Sequence, residues 1–382
     1  MIYLDNAATS FPKPACVIQE IDRCMNEYCA NPGRGGHALS VKAGLAVTQV
    51  RETVCRLFNI PDPMNLALTK NATEALNIAI KGVIEPECHV ITSAMEHNAV
   101  TRPLKTLERD IGISVTTVAG NGFGEIDPDD IKKEIRSNTK LIVCTLSSNV
   151  NGIIMPVSEI GGIAREAGIT FLLDASQGAG SIPVDVMAQN IDMLAFPGHK
   201  GLMGPQGTGG LYVREGLQLR SLMEGGTGSN SEYPYQPEFM PDLLESGTLN
   251  TPGIVGLGAA VGYIEAIGLE RIRVHKHTLV NMLSEGFSDI PGLTLYSLNN
   301  ILRNSGIVAI NLKDLDSAEL SYMLDKDYGI CTRAGLHCSP SAHRKLGTLN
   351  RGIVRFSVGC FNTADDITRT IDAVYRISRK IL

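Results

Sequence analysis

A lysine and an aspartate, each closing an apolar run, are the residues here best suited to covalent chemistry. The lysine is Lys200 in "FPGHKGLMGP", Phe196 to Pro205, where a strand-like run enters a glycine-rich turn. A lysine enclosed there loses hydration, which lowers its pKa and frees the amine to attack a carbonyl. The pattern G-x-x-x-x-G-K-[ST] is absent, so this turn is not a Walker loop. The aspartate is Asp174 in "FLLDASQGAG", with Gln177 three residues on. Alone, a strand-end aspartate is usually a helix cap or turn former.

Together the two have a sharper use. A lysine Schiff base with an aspartate on the pyridinium nitrogen is how pyridoxal phosphate is held. The aspartate keeps that nitrogen protonated, so the ring can absorb carbanion electrons. Such a cofactor needs an anion site and a ring platform. In "TKNATEALNIAIKG", Asn71-Ala72-Thr73 precedes a helix expected to begin near Glu74. Free backbone N–H groups and the Thr73 hydroxyl would face a phosphate there. His97, in "SAMEHNAV", follows a strand-like run, where an imidazole could lie flat on the pyridine ring. By itself it would more often be a packed or capping histidine.

The third candidate is Cys338 in "TRAGLHCSPSAH", next to His337 and five residues before His343. The chain has 9 cysteines, an odd number, with no C-x-x-C pair. That argues against a disulfide framework and a zinc ribbon, and for free thiols in a reducing cytoplasm. Most of these cysteines sit in apolar or helical patterns and read as small buried hydrophobes. Cys338 instead follows Gly335 and precedes Ser339-Pro340-Ser341, so it belongs to a turn where a side chain can be exposed. Arg333, His337 and His343 make its neighbourhood electropositive, which favours a nucleophilic thiolate. A metal site ranks below this, because no third or fourth ligand stands at metal-like spacing; no metal is expected.

These residues need elements to hold them. "HVITS", "ISVTTV", "KLIVCTL", "ITFLLD" and "DMLAF" (His89–Ser93, Ile113–Val118, Lys140–Leu146, Ile169–Asp174, Asp192–Phe196) read as strands. Several are apolar on both faces, as in a parallel sheet covered by helices. Helical patterns such as Glu74 to Lys81 and Val157 to Ala167 alternate with them, giving an α/β fold class. Beyond residue 258 the pattern becomes α+β, with an amphipathic helix from Leu269 to Asp289 and a last helix from Thr363, its expected N-cap. The division is a large domain over 14–258 and a small one over 259–382, with 1–13 packing near the latter and the Cys338 loop on it. With 43% hydrophobic residues the chain can bury a large core. A net charge of -6 and the lack of a basic block exclude a nucleic-acid surface. The opening residues lack a secretory pattern, and the uncharged run Ser246–Ile264 is too broken for a membrane span.

The chain resembles the cysteine desulfurases, within the class V aminotransferase group of fold-type I pyridoxal-phosphate enzymes. The resemblance runs in order through "YLDNAAT", "NPGRGGHALS", "NATEALN", "MEHNAV", "SSNVNG", "LLDASQ", "GHKGLMGPQGTGGLYV", "ESGTLNTPGIVGLGAAV" and "TRAGLHC". It implies a large domain with a mostly parallel seven-stranded sheet flanked by helices, and a smaller α+β C-terminal domain. Lys200 would hold pyridoxal 5'-phosphate and move the substrate Cα proton. Asp174 would pair with the pyridinium nitrogen, Gln177 with the phenolic oxygen, and His97 would stack on the ring. Ala72, Thr73 and His199 would form the phosphate cup, joined by Thr248 acting across a homodimer. Asn149 would sit near the phenolic oxygen and the substrate carboxylate, and Arg355 would clamp that carboxylate. Arg333, Arg34 and His37 would lie on the substrate side. Relatives often have Ser at Pro197 and Thr at Ala72, so this cup lacks two hydroxyls, each worth about 1 kcal/mol.

The implied reaction converts L-cysteine to L-alanine, with a persulfide on Cys338 for an acceptor, which a separate protein could supply. Selenocysteine cleavage, and a transaminase or epimerase that gives Cys338 no task, are the competing readings. No nucleic-acid or membrane partner is expected.

Overall fold

The computed structural model describes residues 1–33, 35–298 and 303–381. Its first half runs β1 (Ile2–Tyr3), α1 (Ala15–Glu27), α2 (Ala38–Phe58), β2 (Leu66–Thr69), α3 (Ala72–Val83), β3 (His89–Ser93), α4 (Asn98–Ile111), β4 (Ser114–Val118), α5 (Pro128–Lys133), β5 (Thr139–Thr145), α6 (Val157–Ala167), β6 (Thr170–Asp174), β7 (Met193–Pro197) and β8 (Gly209–Val213). It continues with α7 (Thr251–Ile267), α8 (Leu269–Ser288), β9 (Leu293–Leu295), β10 (Ile307–Leu312), α9 (Ser317–Tyr328), β11 (Ile330–Cys331), β12 (Arg333–Gly335), α10 (Pro340–Lys345), β13 (Ile353–Ser357) and α11 (Ala364–Ile381).

Successive residues of the central strands are buried on opposite sides of one sheet. Leu141, Val143, Leu172, Met193 and Ala195 join α3 and α4 in one apolar layer. Their neighbours Ile142, Cys144, Phe171, Leu173, Leu194 and Phe196 pack into the other layer. This two-sided burial is why these runs read as continuously apolar rather than alternating. The seven strands lie in the order β2-β8-β7-β6-β5-β3-β4. The run from β7 to β4 is parallel, and β8 is antiparallel to both its neighbours. The five strands read from the sequence fall within one residue of their observed bounds. β2 and β8 escaped that reading, because one has only four residues and the other opens on two glycines. Gly210 is required there: a Cβ would come within 2.4 Å of the Phe196 ring.

Every parallel strand ends at the same edge, and β2, two antiparallel steps from β7, ends there too. That edge is where open α/β sheets bind ligands. It receives Asp174 from β6, the Gly198–Lys200 turn from β7, His97 after β3 and the start of α3 after β2. In register, Asp174 lies between Thr145 and Ala195.

The C-terminal residues form an antiparallel sheet in the order β12-β13-β10-β9. Leu279, Leu283 and Phe287 of α8 and Ile367, Val374 and Ile377 of α11 share its core. Thr363 caps α11 as expected: its Oγ accepts from the Asp366 N–H (3.2 Å) and its own N–H donates to Asp366 Oδ2 (3.0 Å). Residues 1–5 join this part, since β1 pairs with β11 and Leu4 lies in the same core. Residue 258, the expected boundary, lies inside α7, which packs on α1 and α2. The chain changes direction at Gly268, where α7 and α8 meet at 81°. Among the described residues no single helix is long and apolar enough to cross a membrane.

A buried ion pair ties the loop ahead of α7 to the sheet. Arg51 Nη1 and Nη2 donate to Glu245 Oε1 (2.8 Å) and Oε2 (3.0 Å), and Glu245 also accepts from the Leu68 N–H. Breaking one side leaves a buried charge uncompensated. Arg51→Ala is therefore expected to cost about 3–5 kcal/mol, read as a shift of the urea unfolding midpoint.

Candidate active site

The pocket at the sheet edge is lined by Thr73, His97, Asn149, Asp174, Gln177 and Lys200, with His199 and Ala72 beside them. Seven of the residues singled out in the sequence thus meet one another, together with Ala72. α3 begins at Ala72, two residues earlier than the sequence reading, because the Asn71 side chain accepts from the Glu74 N–H (2.9 Å) and acts as N-cap. The N–H groups of Ala72 and Thr73 therefore open the helix, where an anion is favoured. Thr73 is exposed.

Lys200 has its pKa lowered to about 8, mainly by burial; Asp174 opposes the shift, while Arg355 and Arg333 add to it. Asp174 is 2% exposed, and its Oδ1 accepts from the Ser176 N–H (2.8 Å). Below it lies Glu96, fully buried, its carboxyl pushed up to about 8 by burial. Near neutral pH a neutral Glu96 adds no charge beside Asp174. Sequence reasoning passed over Glu96, because only its burial marks it out. His97 caps α4 by accepting from the Ala99 N–H (3.0 Å) at Nδ1. Burial and the nearby Lys200 lower its pKa, so the neutral ring carries its proton on Nε2. His97 is thus both the capping histidine of the bland reading and a wall of the pocket. Gln177 donates its amide to the Ala7 carbonyl (2.8 Å), which fixes the orientation of its Oε1.

His199 supplies the clearest test for a phosphate-bearing group. Its Nδ1 is buried and has no hydrogen-bond partner. Burial drives its pKa down to about 4, so it is a neutral ring with a polar atom awaiting a partner. That orphaned atom, the open start of α3, the buried Asp174 carboxyl group and the half-buried Lys200 amine fit pyridoxal 5'-phosphate.

Arg355 and Arg333 stand directly opposite each other on β13 and β12, so their side chains share one face. Arg355 is 1% exposed; its Nη2 donates to Asp5 Oδ1 (2.8 Å), its Nη1 to the Asn149 carbonyl (2.8 Å), and its Nε has no partner. Among the described residues Asp5 is the one carboxylate paired with Arg355, and Arg333 has none, so a second anion is favoured between them. The expected carboxylate clamp is not a free fork, since both terminal nitrogens of Arg355 are already engaged.

Cys338 is exposed and sits on a backbone that few side chains tolerate: His337 has φ +50° and Cys338 φ +56°. Left-handed geometry costs about 1–2 kcal/mol per residue, so other contacts must hold it. The Asn98 N–H donates to the Cys338 carbonyl (2.8 Å). Asn149 donates its amide to the His337 carbonyl (2.7 Å) and accepts from the Ser339 hydroxyl (2.7 Å). The side chain expected near cofactor and substrate is thus spent on the cysteine turn.

The two histidines correct the sequence reading. They do not charge the thiol's surroundings. His337 and His343 are 4% and 0% exposed, and burial pushes them down to about 2 and about 4. Their rings stack, and a chain of hydrogen bonds runs from Thr348 Oγ through His343 and His337 to the Arg333 carbonyl. Arg333 remains the cation of that stretch.

Cys338 does not line the inner pocket. It borders an adjoining outer groove, and Thr73, His97 and Ala99 are walls of both. Thr248 is exposed and absent from the pocket lining. His37 caps α2, accepting from the Ser40 N–H (3.3 Å), and is also exposed outside the pocket. Arg34 lies outside the described residues. Among the described residues no cluster of three metal-ligating side chains occurs.

Asn149→Ala leaves the His337 carbonyl and the Ser339 hydroxyl without partners, at about 1–3 kcal/mol each. Faster amide exchange over Leu336–Ser339 and faster alkylation of Cys338 are expected, with little change in the sheet. The same loop should loosen in acid. The native histidines resist protonation below the unfolded value of 6.5, so their contribution is full above pH 6.5 and lost as pH falls toward about 4. Amide exchange across that window checks the sign.

A model of the class-V aminotransferase family matches residues 2–370. A probable cysteine desulfurase of Methanothermobacter thermautotrophicus is 36% identical over 96% of this chain and 92% of its own. A cysteine desulfurase of Serratia proteamaculans is 31% identical over 99% and 94%. Among solved structures, the apo cysteine desulfurase of Thermococcus onnurineus superposes with a TM-score of 0.93 at 32% identity, covering 99% of this chain and 95% of that one. The motif order, the pocket chemistry and these full-length likenesses agree: the chain belongs to the class-V aminotransferase family, among its cysteine desulfurases.

Proposed function

We propose that this chain is a cysteine desulfurase that takes the sulfur of L-cysteine onto Cys338 and releases L-alanine. The observation that carries this reading is the exposed Cys338 thiol beside the pocket of Lys200 and Asp174, with His97 as a shared wall.

Pyridoxal phosphate, when bound, supplies the electron sink that weakens the substrate's carbon–sulfur bond. Its phosphate suits the start of α3 and the unpartnered Nδ1 of His199. The buried Asp174 carboxyl group, beside a neutral Glu96, is suited to keep a proton on the ring nitrogen. His97, a wall of the pocket, would exclude water from one side of the bound ring. Arg355 and Arg333 hold the substrate carboxylate, with Asp5 and Asn149 fixing the Arg355 fork. Lys200, with a pKa of about 8, exchanges the proton at the substrate Cα near neutral pH. The Cys338 thiolate attacks the substrate sulfur. A sulfur–sulfur bond forms, the carbon–sulfur bond breaks with its electron pair left on carbon, and that carbon takes a proton to become alanine. The persulfide then waits for an acceptor thiol, which we assign to a separate protein.

A homodimer belongs to the same reading. Ile18 and Met25 of α1 and Leu39, Val41 and Leu45 of α2 are exposed apolar residues that a second copy could cover. Exposed Thr248 would then serve the other copy's phosphate cup. Nine free cysteines suit a reducing cytoplasm. A large domain over 14–258 and a small one over 259–382, with 1–13 near the latter, stay part of this proposal.

Cys338→Ser is expected to lower alanine release from L-cysteine by at least about 100-fold, while selenocysteine, whose leaving group departs unaided, still gives alanine. Retained cysteine activity would remove Cys338 from the mechanism. Uptake of pyridoxal phosphate by the apoprotein, followed by visible absorbance, should accelerate with rising pH and level off above about 8, where the Lys200 amine is free. Lys200→Ala should abolish that absorbance.

A further inference from the structure

The outer groove continues past Cys338 between α3 and α4. Both helices start at the ligand-binding edge of the sheet and pack side by side. Thr73, Asn77 and Lys81 recur every fourth residue on α3, and Asn98, Arg102 and Thr106 do so on α4; all six border the groove with Cys338. At 1.5 Å per residue the two ridges run about 12 Å from the thiol end, with Arg102 about 6 Å along. The thiol end is tied to the α4 ridge, because the Asn98 N–H donates to the Cys338 carbonyl (2.8 Å).

The charge on these ridges is one-sided. Each carboxylate of the two helices is already used: Glu74 pairs with Lys70, Glu108 with Lys105 and Asp110 with Arg109. Lys81 and Arg102 have no ion pair and no side-chain hydrogen bond among the described residues. Lys81 favours the C-terminal end of α3 through the helix dipole, yet its ammonium remains free to bind an anion. With every carboxylate of the two helices paired, Lys81 and Arg102 leave the groove beside the thiol locally positive in a chain of net charge -6.

We propose that this groove seats the sulfur acceptor as an extended polypeptide segment, with its cysteine at Cys338 and acidic residues two to four positions away, against Arg102 and Lys81. An extended chain rises about 3.3 Å per residue, so 6–12 Å spans two to four residues. A small free thiol would leave this length unused. The transfer balances without an outside oxidant. The acceptor thiolate attacks the outer sulfur of the Cys338 persulfide, a new sulfur–sulfur bond forms, and the old one breaks with its electron pair on Cys338. The acceptor's proton goes to solvent.

The proposal rests on the desulfurase reading, and one experiment separates the two. The holoenzyme is loaded with L-cysteine, and persulfide on Cys338 is read by mass spectrometry. No persulfide would sink the desulfurase reading and this proposal with it. If persulfide forms, its discharge is timed against two synthetic peptides, one with Asp and Glu at the second to fourth positions after cysteine, the other with Gln and Lys. The acidic peptide is expected to discharge it about five- to tenfold faster at low salt, losing the advantage at high salt. The double variant Lys81→Glu, Arg102→Glu should reverse the preference, with persulfide formation and discharge to dithiothreitol unchanged. Should that variant fold poorly, Lys81→Gln with Arg102→Gln and the salt series give the same reading. Equal rates for the two peptides, or a preference that survives charge removal, would overturn the groove assignment.

Discussion

A lysine ammonium taken out of water must find a counter-charge or give up its proton, and the site is arranged around that choice at Lys200. Burial lowers its pKa, Asp174 resists, and the net position near 8 leaves an amine that can change state at neutral pH. This balance needs no added charge beside Asp174. Glu96 meets that condition by remaining protonated, because its own burial is complete. It also needs the strand ends to converge, which two-sided burial of a parallel sheet enforces. His97, Asp174 and Lys200 follow three different strands and meet because those strands point the same way.

The second constraint is the turn at Cys338. Two consecutive non-glycine residues in left-handed geometry are not stable on local grounds. They persist because Asn149, Asn98 and the His343–His337 pair hold the carbonyls and rings on all sides. These residues come from the large sheet's edge and from the small sheet's own turn. The thiol's position thus reports the relation between the two parts of the chain, with Arg355 joining them through Asn149 and Asp5.

Much of the site was legible in the sequence, for a physical reason. Lys200, Asp174, Gln177 and His97 stand where apolar runs stop, and such runs mark strands whose ends share one edge; Thr73 stands where a helical pattern starts. The strands themselves were visible where both faces are apolar, and invisible at β2 and β8, where shortness and glycines hide the pattern. Thr363 and its first-turn aspartates announced a helix start that the structure retains. The histidines around Cys338 misled, since their charge depends on solvent access and no spacing encodes that.

The sequence by itself determined the α/β class, the central strands of the sheet and the chemistry-bearing residue types, because periodicity and strand-end residues are local properties. Tertiary structure decided what is ionised and what is pinned. It made Glu96, His199, His337 and His343 neutral, spent Asn149 on the cysteine turn, engaged the fork of Arg355 and set Cys338 in a groove beside the Lys200 pocket. Each of these follows from burial or from partners distant in the chain, and desolvation is felt only once the fold has closed.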